Sequence, residues 1–377
     1  MANTKQAVNQ IYTIVNSLLG QSEGGELAVF DSGSLVAVGE DVINSETLGN
    51  AFMSALSNMV GKTIISTRRY QSDEERLLLI DDMQYGSILR KISFPLNEVV
   101  EDQSYNLVEG QAIDMYKVHI VEPVQKFFPK QTPFAQAWTT TRQHLKKAFT
   151  SAEEMGSFLT AYRNVFSNTL SVALDNLAHA CIVNYICNVA QAGDSRVVKL
   201  ITLYKTYNPT FDKVGTAALI DADFMAFCVT VIKNTSELMT KFNKGTYNDG
   251  SVDRFTPYNR QRLILNSQFL QFMNTSVKYK AFNRDDLALN VYGTLPYWQS
   301  AASPMDVYGK PGADEGINQT GVVGILSDIE AFGIYRKDYR INTSPYNISG
   351  EYWNTEEKCE NMYFNDFSEN FVMFTLE

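Results

Sequence analysis

The longest periodic stretch of the sequence runs from Thr150 to Gln191 and reads TSAEEMGSFLTAYRNVFSNTLSVALDNLAHACIVNYICNVAQ. It contains no proline, and its single glycine, Gly156, lies near its start. Apolar residues recur every three or four positions, which places them on one stripe of an α-helix. The stripe consists of Met155, Phe158, Leu159, Tyr162, Phe166, Leu170, Ala173, Leu174, Leu177, Cys181, Tyr185 and Val189. The stretch therefore predicts one long amphipathic helix.

Both ends of this helix carry signals of their own. Ser151 with Glu154, or Thr150 with Glu153, fits a capping box, and Gly193 suits the C-terminal stop. An unbroken helix would be about 60 Å long and would overhang one compact core. We therefore expect part of its stripe to contact another chain. The alternative is a kinked pair of core helices, broken at 167–169, where Ser, Asn and Thr are weaker helix formers.

Composition narrows the class of protein. The chain has 377 residues and a mass of 42.4 kDa, which suits two or three structural domains with a proper core. Its formal net charge is −10 and its pI is near 5.0. Binding nucleic acid requires clustered Lys and Arg to neutralise phosphates, so a DNA- or RNA-binding surface is not expected to be the main function.

Targeting signals are not evident in the sequence. There is no run of about 18 apolar residues, so we expect no membrane-spanning segment. Met1–Gly20 has no apolar core of the kind that signal peptides carry. The four cysteines lie mostly in apolar segments, and we expect free, buried thiols in a reducing compartment rather than disulfides. They are Cys181, Cys187, Cys228 and Cys359.

The N-terminal part predicts two helices. The first follows the spacing of Val8, Ile11, Val15 and Leu18 and ends at Gly20. Two short apolar runs, 27–30 and 35–38, come next. A second amphipathic helix covers 48–60 and is expected to end at Gly61, with a strand beginning at Ile64. The sequence Gly61-Lys62-Thr63 lacks the first glycine of a P-loop and is interpreted as a helix C-cap.

Residues 72–136 have a different character. Ile88, Ile92, Phe94 and Leu96 alternate with other residues in one predicted strand, and 116–120 alternate in a second. The intervening segment has five carboxylates and no basic residue: Glu98, Glu101, Asp102, Glu109 and Asp114. We predict a long hairpin arm with an acidic tip. A two-stranded ribbon is marginal alone, so it must lie on its own chain or on a neighbour.

The remaining chain mixes helices and strands. We predict a strand at 197–204, a helix at 221–242, a strand at 263–266 with a short helix after it, and a strand-rich stretch at 278–292. A loop follows at 298–320. Four consecutive strands are then expected at 321–327, 332–339, 351–364 and 371–376. Helices and hairpin, then a mixed region, then strands together indicate an α+β protein.

Catalytic and metal-binding patterns are not found. His119, His144 and His179 fall on different predicted elements without partners at metal-ligand spacing. Cys181 and Cys187 are six residues apart on a helix and so lie on different faces. We expect no catalytic residues, no cofactor and no metal. Acidic pairs such as Asp73/Glu74 and Asp81/Asp82, with the many aromatic residues, leave a carbohydrate-active enzyme as a rival interpretation.

The order of elements resembles the major capsid proteins of the Hong Kong 97-type fold. The sequence is most similar to the major head proteins of short-tailed phages of the phi-29 kind. The stretches that carry the resemblance are VAVGEDVIN at 36–44, FMSALSNMVG at 52–61, the hairpin, the helix at 157–191, IY at 334–335, GEYWN at 350–354 and FSENFVMF at 367–374. The likeness is one of element order and scattered residues along nearly the whole chain.

The resemblance implies a division into four parts. Residues 1–71 would form the N-terminal arm and 72–140 the extended E-loop. The peripheral (P) domain would comprise 141–200 and 333–377, with the spine helix at about 151–191. The axial (A) domain would be 201–332, inserted between the two parts. Some relatives carry an immunoglobulin-like domain after the last strand or a lysine–asparagine crosslink; we expect neither here.

The resemblance also implies a function. The chain would be a non-enzymatic shell subunit of the virion, made in the bacterial cytoplasm and assembling as hexamers and pentamers around double-stranded DNA without reading its sequence. Scaffolding and portal proteins would be its other partners. The rival within the same class is a tail or connector protein, which would form tubes or rings.

Charge pattern suggests where subunits meet. The acidic tip, with Glu98, Glu101 and Asp102, needs a basic counter-surface on a neighbour. Arg142, Lys146 and Lys147 lie at helical spacing just before the long helix and are the candidates for it. Exposed pairs contribute about 0–1 kcal/mol each, so they would guide register more than supply strength.

Overall fold

The computed structural model describes residues 2–21, 29, 31–67, 77–82, 88–97, 99, 102–105, 107–110, 116, 118, 120–129, 132–280, 289–310 and 316–377. The α-helices, in chain order, are α1 Ala2–Gln21, α2 Ser32–Asn44, α3 Glu46–Thr67, α4 Arg142–Ala148, α5 Ala152–Ala192, α6 Leu200–Tyr207, α7 Ala222–Leu238 and α8 Ser267–Lys280. The strands are β1 Leu79–Asp82, β2 Leu89–Ser93, β3 Val124–Phe128, β4 Thr132–Thr141, β5 Val197–Lys199, β6 Gln261–Asn266, β7 Gly293–Leu295, β8 Val307–Gly309, β9 Ile317–Gln319, β10 Val322–Asp328, β11 Phe332–Thr343, β12 Tyr352–Asn365 and β13 Phe371–Thr375.

The long helix predicted from the sequence is confirmed as α5. It runs for 41 residues and passes through 167–169 without interruption, so the kinked-pair alternative is wrong. The Ser151 hydroxyl accepts a hydrogen bond from the backbone N–H of Glu154 at 3.2 Å, which caps the first turn. Gly193 ends the helix in the left-handed conformation, with φ of 59°, as a glycine C-cap should.

The apolar stripe of α5 is covered by the chain itself. Its first third packs among α1–α4, where Met155 and Tyr162 are buried. Leu170, in the middle, packs against the four-stranded sheet at Cys359. The last third, around Tyr185, packs against the five-stranded sheet. Three successive cores of the chain itself therefore pack along the described residues of the helix. That part of the stripe also contacts another chain stays a prediction.

The same packing explains a membrane-like segment within α5. By length and composition alone, Asn168–Ala192 could cross a membrane. Around Tyr185 it instead meets aromatic rings of both sheets, Phe371 of β13 and Phe332 of β11. The Tyr185 ring lies 4.3 Å from that of Phe371 and 5.6 Å from that of Phe332, between ring centroids.

Two sheets lie side by side along α5. The four-stranded sheet has the order β1-β11-β12-β4, and the five-stranded sheet has the order β5-β13-β10-β6-β7. Strands β10 and β13 are buried along their whole length, since both faces of that sheet are covered. On β13, Val372 and Phe374 face the core formed with α6–α8, whereas Phe371 and Met373 face α5. The alternation follows from the two-residue period of a strand.

The last four predicted strands are confirmed as β10–β13, and most other elements shift. The predicted strand at 197–204 keeps only β5, and the rest is helix α6. The helix at 221–242 is confirmed as α7 and the strand at 263–266 as β6. Of the strand-rich stretch at 278–292, residues 278–280 belong to α8 and 281–288 lie outside the described residues. The loop at 298–320 contains the short pair β8–β9.

Two N-terminal predictions are wrong. Helix α3 does not end at Gly61 but continues to Thr67, so neither the C-cap nor the strand from Ile64 exists. One glycine costs a helix about 1 kcal/mol relative to alanine, which is not enough to end it. The short apolar run at 35–38 lies inside helix α2, whose N-cap Asp31 exchanges hydrogen bonds with Ser34.

Candidate assembly surfaces

The hairpin arm, residues 88–128, projects a two-stranded ribbon. Strand β2 pairs antiparallel with β3 from Leu89 opposite Phe128 to Ser93 opposite Val124. The first predicted strand is thus confirmed in shortened form. The second is wrong in place, because the chain pairs at 124–128 and not at 116–120. Of the residues at 116–120, the structure describes Tyr116, Val118 and Ile120, which are exposed and lie outside the named strands.

The ribbon of the arm has one face turned toward its own chain and one exposed face. On β2, the residues turned toward the body of the protein are Leu89, Lys91 and Ser93, while Arg90 and Ile92 are exposed. Large apolar side chains are exposed along the rest of the arm, up to 95% for Val99. They are Ile88, Ile92, Phe94, Leu96, Val99, Tyr105, Leu107, Val108, Tyr116, Val118, Ile120 and Phe127. A concentration of this size marks a surface that another molecule covers.

The acidic tip is only partly within the described residues. Glu98 and Glu101 lie outside them. Asp102 is exposed, and its carboxylate accepts the backbone N–H of Ser104 at 2.9 Å. This hydrogen bond lowers the pKa of Asp102. The tip is therefore both acidic and apolar, because Val99, Leu107 and Val108 are exposed beside its carboxylates.

The predicted basic counter-surface lies on helix α4. The Arg142 guanidinium is already engaged within the chain, 3.1 Å from Oδ1 of Asn44 and 3.5 Å from Oε1 of Glu351. Lys146 and Lys147 lie in the last turn of α4 and are exposed. The two lysines are thus accessible, whereas Arg142 of α4 is bound to α2 and to the turn before β12.

A cleft of about 630 Å³ opens between α2 and α4, beside Lys146. Its walls combine apolar side chains with a polar rim. They comprise Val36, Gly39, Glu40, Ile43, Asn44, Arg142, Gln143, Lys146, Phe149, Thr150 and Glu351. The cleft therefore combines an apolar interior with the Lys146 ammonium group at its edge.

At its root the arm is held by a network of ion pairs. Lys91 Nζ lies 3.0 Å from Asp366, 2.6 Å from Glu369 and 3.1 Å from Glu330. Lys126 Nζ lies 3.3 Å from Asp366. Asp366 is fully buried, and its backbone carbonyl accepts the Tyr185 hydroxyl of α5 at 3.0 Å.

The charges of this network are shifted by burial and by one another. Burial alone would lower the pKa of Lys91, but the carboxylates around it outweigh burial and raise that pKa. Burial opposes ionisation of Asp366, yet Lys91, the Ser368 hydroxyl and Lys126 hold its pKa below the usual range. In Glu369 burial dominates and raises the pKa. Asp366 is the carboxylate that the lysines keep charged.

Comparison with known proteins gives the family. A sequence profile described as "Phi29-like phage major capsid protein" matches residues 11–375, almost the whole chain. The chain belongs to this family. Its major capsid protein relative from Bacillus phage GA-1 is 21% identical over 362 residues, which cover 92% of this chain. The chain spans 65% of the length of that relative.

Solved structures give the fold of this family member. A chain from the capsid structure of Staphylococcus phage Andhra superposes with a TM-score of 0.53 at 11% identity, over 80% of this chain and 83% of that one. A chain from the structure of the head fiber and inner core protein gp22 of native bacteriophage P68 gives a TM-score of 0.51 at 11% identity, covering 80% and 84%. The α+β, Hong Kong 97-type fold expected from the sequence is confirmed.

The family is described as one of phage major capsid proteins. Among the described residues, no group of three or more His, Cys, Asp or Glu side chains could hold a metal ion. The buried carboxylates Asp366 and Glu369 are neutralised by lysine and arginine rather than facing each other across a cleft.

Sequence reasoning missed the arm root of this capsid family member. The alternation predicted for this strand agrees with the structure, in which Lys91 and Ile92 lie on opposite faces of β2. No local pattern pairs Lys91 with Asp366, far along the chain, because isolated lysines on strands carry no local signal of a buried partner.

Proposed function

We propose that the chain is the shell-forming subunit of a tailed double-stranded DNA phage and that its copies assemble as hexamers and pentamers. The observation that supports this most is the set of large apolar side chains exposed along the arm, from Ile88 to Phe127. A neighbouring copy that covered these side chains would remove them from water and gain about 25 cal/mol for each Å² buried.

The net charge and the family support proposals about the location, the partners and the domains of the protein. A net charge of −10 suits a container that must let DNA slide past without gripping it. We assign the protein to the virion shell, made in the host cytoplasm, with scaffolding and portal proteins as further partners. Within the subunit we assign 1–71 to the N-terminal arm, 72–140 to the E-loop, 141–200 with 333–377 to the P domain and 201–332 to the A domain. Strand β13 also belongs to the A-domain sheet, since it pairs with β10.

We further propose that the arm tip docks at the cleft between α2 and α4 of a neighbour. Segment 98–102 reads Glu-Val-Val-Glu-Asp, an apolar pair flanked by carboxylates. The cleft offers Val36 and Ile43 as apolar walls and Lys146 at its edge, with Lys147 one residue further on. The apolar pair would supply strength, and the charges would set register.

The test of this function is assembly by arm variants. Val99→Asp together with Leu107→Asp should abolish shell formation, because two carboxylates would have to be buried in the covered face. Leu107→Met, which keeps volume and polarity, should assemble normally. Negative-stain microscopy and sedimentation would report the products, with any scaffold protein co-expressed. Shells from the double variant, or tubes and rings from the unmodified protein, would refute the proposal, the latter in favour of a tail or connector protein.

Charge reversal tests the counter-surface separately. Lys146→Glu with Lys147→Glu should slow assembly several-fold at low salt and less at high salt, because exposed ion pairs are weak and screened. Glu101→Lys with Asp102→Lys should restore part of the rate. Lys241→Glu with Lys244→Glu makes the same change in net charge on exposed residues away from the cleft and is the control. Equal slowing by both double reversals would show an effect of net charge rather than of this contact.

A further inference from the structure

The two lysines at the arm root are direct neighbours across the ribbon. Lys91 on β2 and Lys126 on β3 are register partners. Like charges directly opposite each other on a ladder are destabilising. Here both ammonium groups converge on one carboxylate, Lys91 on Oδ2 of Asp366 at 3.0 Å and Lys126 on Oδ1 at 3.3 Å. The shared anion turns a repulsive pair into a two-point attachment.

The anions of the attachment come from separate segments of the body. Asp249, 3.4 Å from Lys126, lies in the loop after α7. Glu330, 3.1 Å from Lys91, lies in the turn between β10 and β11. Asp366 and Glu369 lie in the connection between β12 and β13. Because two lysines of the arm are each bound to carboxylates from these segments, both the position and the direction of the arm are fixed.

A further side chain locks the geometry. Arg254 bonds Glu369 at 3.1 Å and the Ser93 hydroxyl of β2 at 2.5 Å. Glu369 thus bridges Lys91 of the arm and Arg254 of the body. The Phe128 ring of β3 also packs against the Phe364 ring, with centroids 5.3 Å apart. Apolar contacts are not directional, whereas the ion pairs on both strands oppose rotation of the arm.

We propose that Lys91 and Lys126 are positioning residues that set the direction of the arm in the free subunit. The expected effect on assembly rests on the proposed shell function, whereas the direction of the arm in the free subunit does not depend on it. An arm already held in its bound direction loses less conformational freedom when a neighbour binds, so assembly needs a lower protein concentration. Because the pairs are largely buried, this effect should survive salt that screens the contacts at the tip.

The experiment measures the direction of the arm without requiring assembly. Spin labels at Leu107→Cys in the arm and Lys244→Cys on the body give a distance distribution by pulsed electron paramagnetic resonance. The native cysteines are buried, so labelling is selective. The test variant is Lys91→Met with Lys126→Met and Asp366→Asn, which also neutralises the buried carboxylate that both lysines contact, while Glu369 keeps its pair with Arg254. We expect the distribution to broaden at least about twofold, with unchanged far-ultraviolet circular dichroism.

The matched control is Lys337→Met with Glu360→Gln, an ion pair of 3.7 Å between β11 and β12 that does not involve the arm. It should leave the distribution unchanged. Lys126→Met alone is the second variant if the triple variant fails to fold, and it should broaden the distribution to a smaller extent. Lys126→Arg should restore the narrow distribution, which a loss of packing alone would not predict.

Assembly of the unlabelled proteins completes the test. The triple variant should need about tenfold more protein to form shells, at both low and high salt. A folded variant whose distance distribution stays as narrow as that of the unmodified protein would overturn the positioning role. If the distribution broadens but the unmodified protein forms no shells under any condition, the shell function fails while the positioning role stands.

Discussion

Leu170→Pro is expected to leave the chain unable to fold. Leu170 lies near the middle of α5, 7% exposed, and packs with Leu174 against Cys359. Proline there removes a backbone hydrogen bond and clashes with the preceding turn, at about 3 kcal/mol or more. Loss of the leucine side chain adds about 2–5 kcal/mol. The sum is comparable with the whole stability of an ordinary domain. Expression of soluble subunit and its circular dichroism would report the outcome.

Two controls separate the backbone from the side chain. Leu170→Ala keeps the helix and should lose only the packing contribution, so it should still fold, with a lower unfolding midpoint. Val172→Ala, at a 54% exposed position of the same helix, should stay within about 0.5 kcal/mol of the unmodified protein. A Leu170→Pro protein with normal helix content and normal shells would mean that α5 tolerates a break between its cores.

Asp366→Asn is expected to destabilise the free subunit by about 2–5 kcal/mol at pH 7. The asparagine has the same shape but cannot compensate Lys91 and Lys126, which would remain half-buried with one anion fewer. Denaturant unfolding of the subunit, followed by tryptophan fluorescence, measures the change. Asp338→Asn removes an exposed carboxylate 3.7 Å from Arg340 and should cost at most about 1 kcal/mol.

The effect of Asp366→Asn should depend on pH with a definite sign. The folded-state pKa of Asp366 lies below its ordinary value of 3.8. Its charge therefore contributes stability that is present above that value and is lost as the pH falls through the lowered folded-state pKa. The difference between Asp366→Asn and the unmodified protein should be full at pH 7 and should shrink below pH 3.8. A difference that is constant with pH would mean that the asparagine disturbs hydrogen bonds, such as those from Ser368, and not the charge balance.

The parts of the fold that could be read from the sequence are those with long, regular periods. Helix α5 combines an uninterrupted stripe with caps at Ser151 and Gly193, so local signals and packing agree. The strands β10–β13 were equally clear, because their apolar residues meet cores of their own chain. In each of these elements, the residues that the spacing predicts to be buried are the ones that pack against other parts of the chain.

Elsewhere the sequence pattern reflected something other than the subunit's own core. The alternation at 116–120 predicted a strand, but in the structure Tyr116, Val118 and Ile120 are exposed and lie outside the named strands. Gly61 predicted a stop that α3 passes through. The pairing of Lys91 with Asp366 could not be predicted, because it joins segments that meet only after both sheets have formed.

The position of β13 imposes an order in time on the making of each subunit. Strand β13 lies inside the five-stranded sheet, between β10 and β5, and Met373 pairs with Val197. A ribosome releases the arm early in synthesis, but Asp366 and Glu369, which anchor it, emerge only just before β13. A growing chain therefore carries an unanchored arm and an open sheet until β13 is made. Attachment of the arm and closure of the sheet both wait for synthesis of the same segment, 366–375.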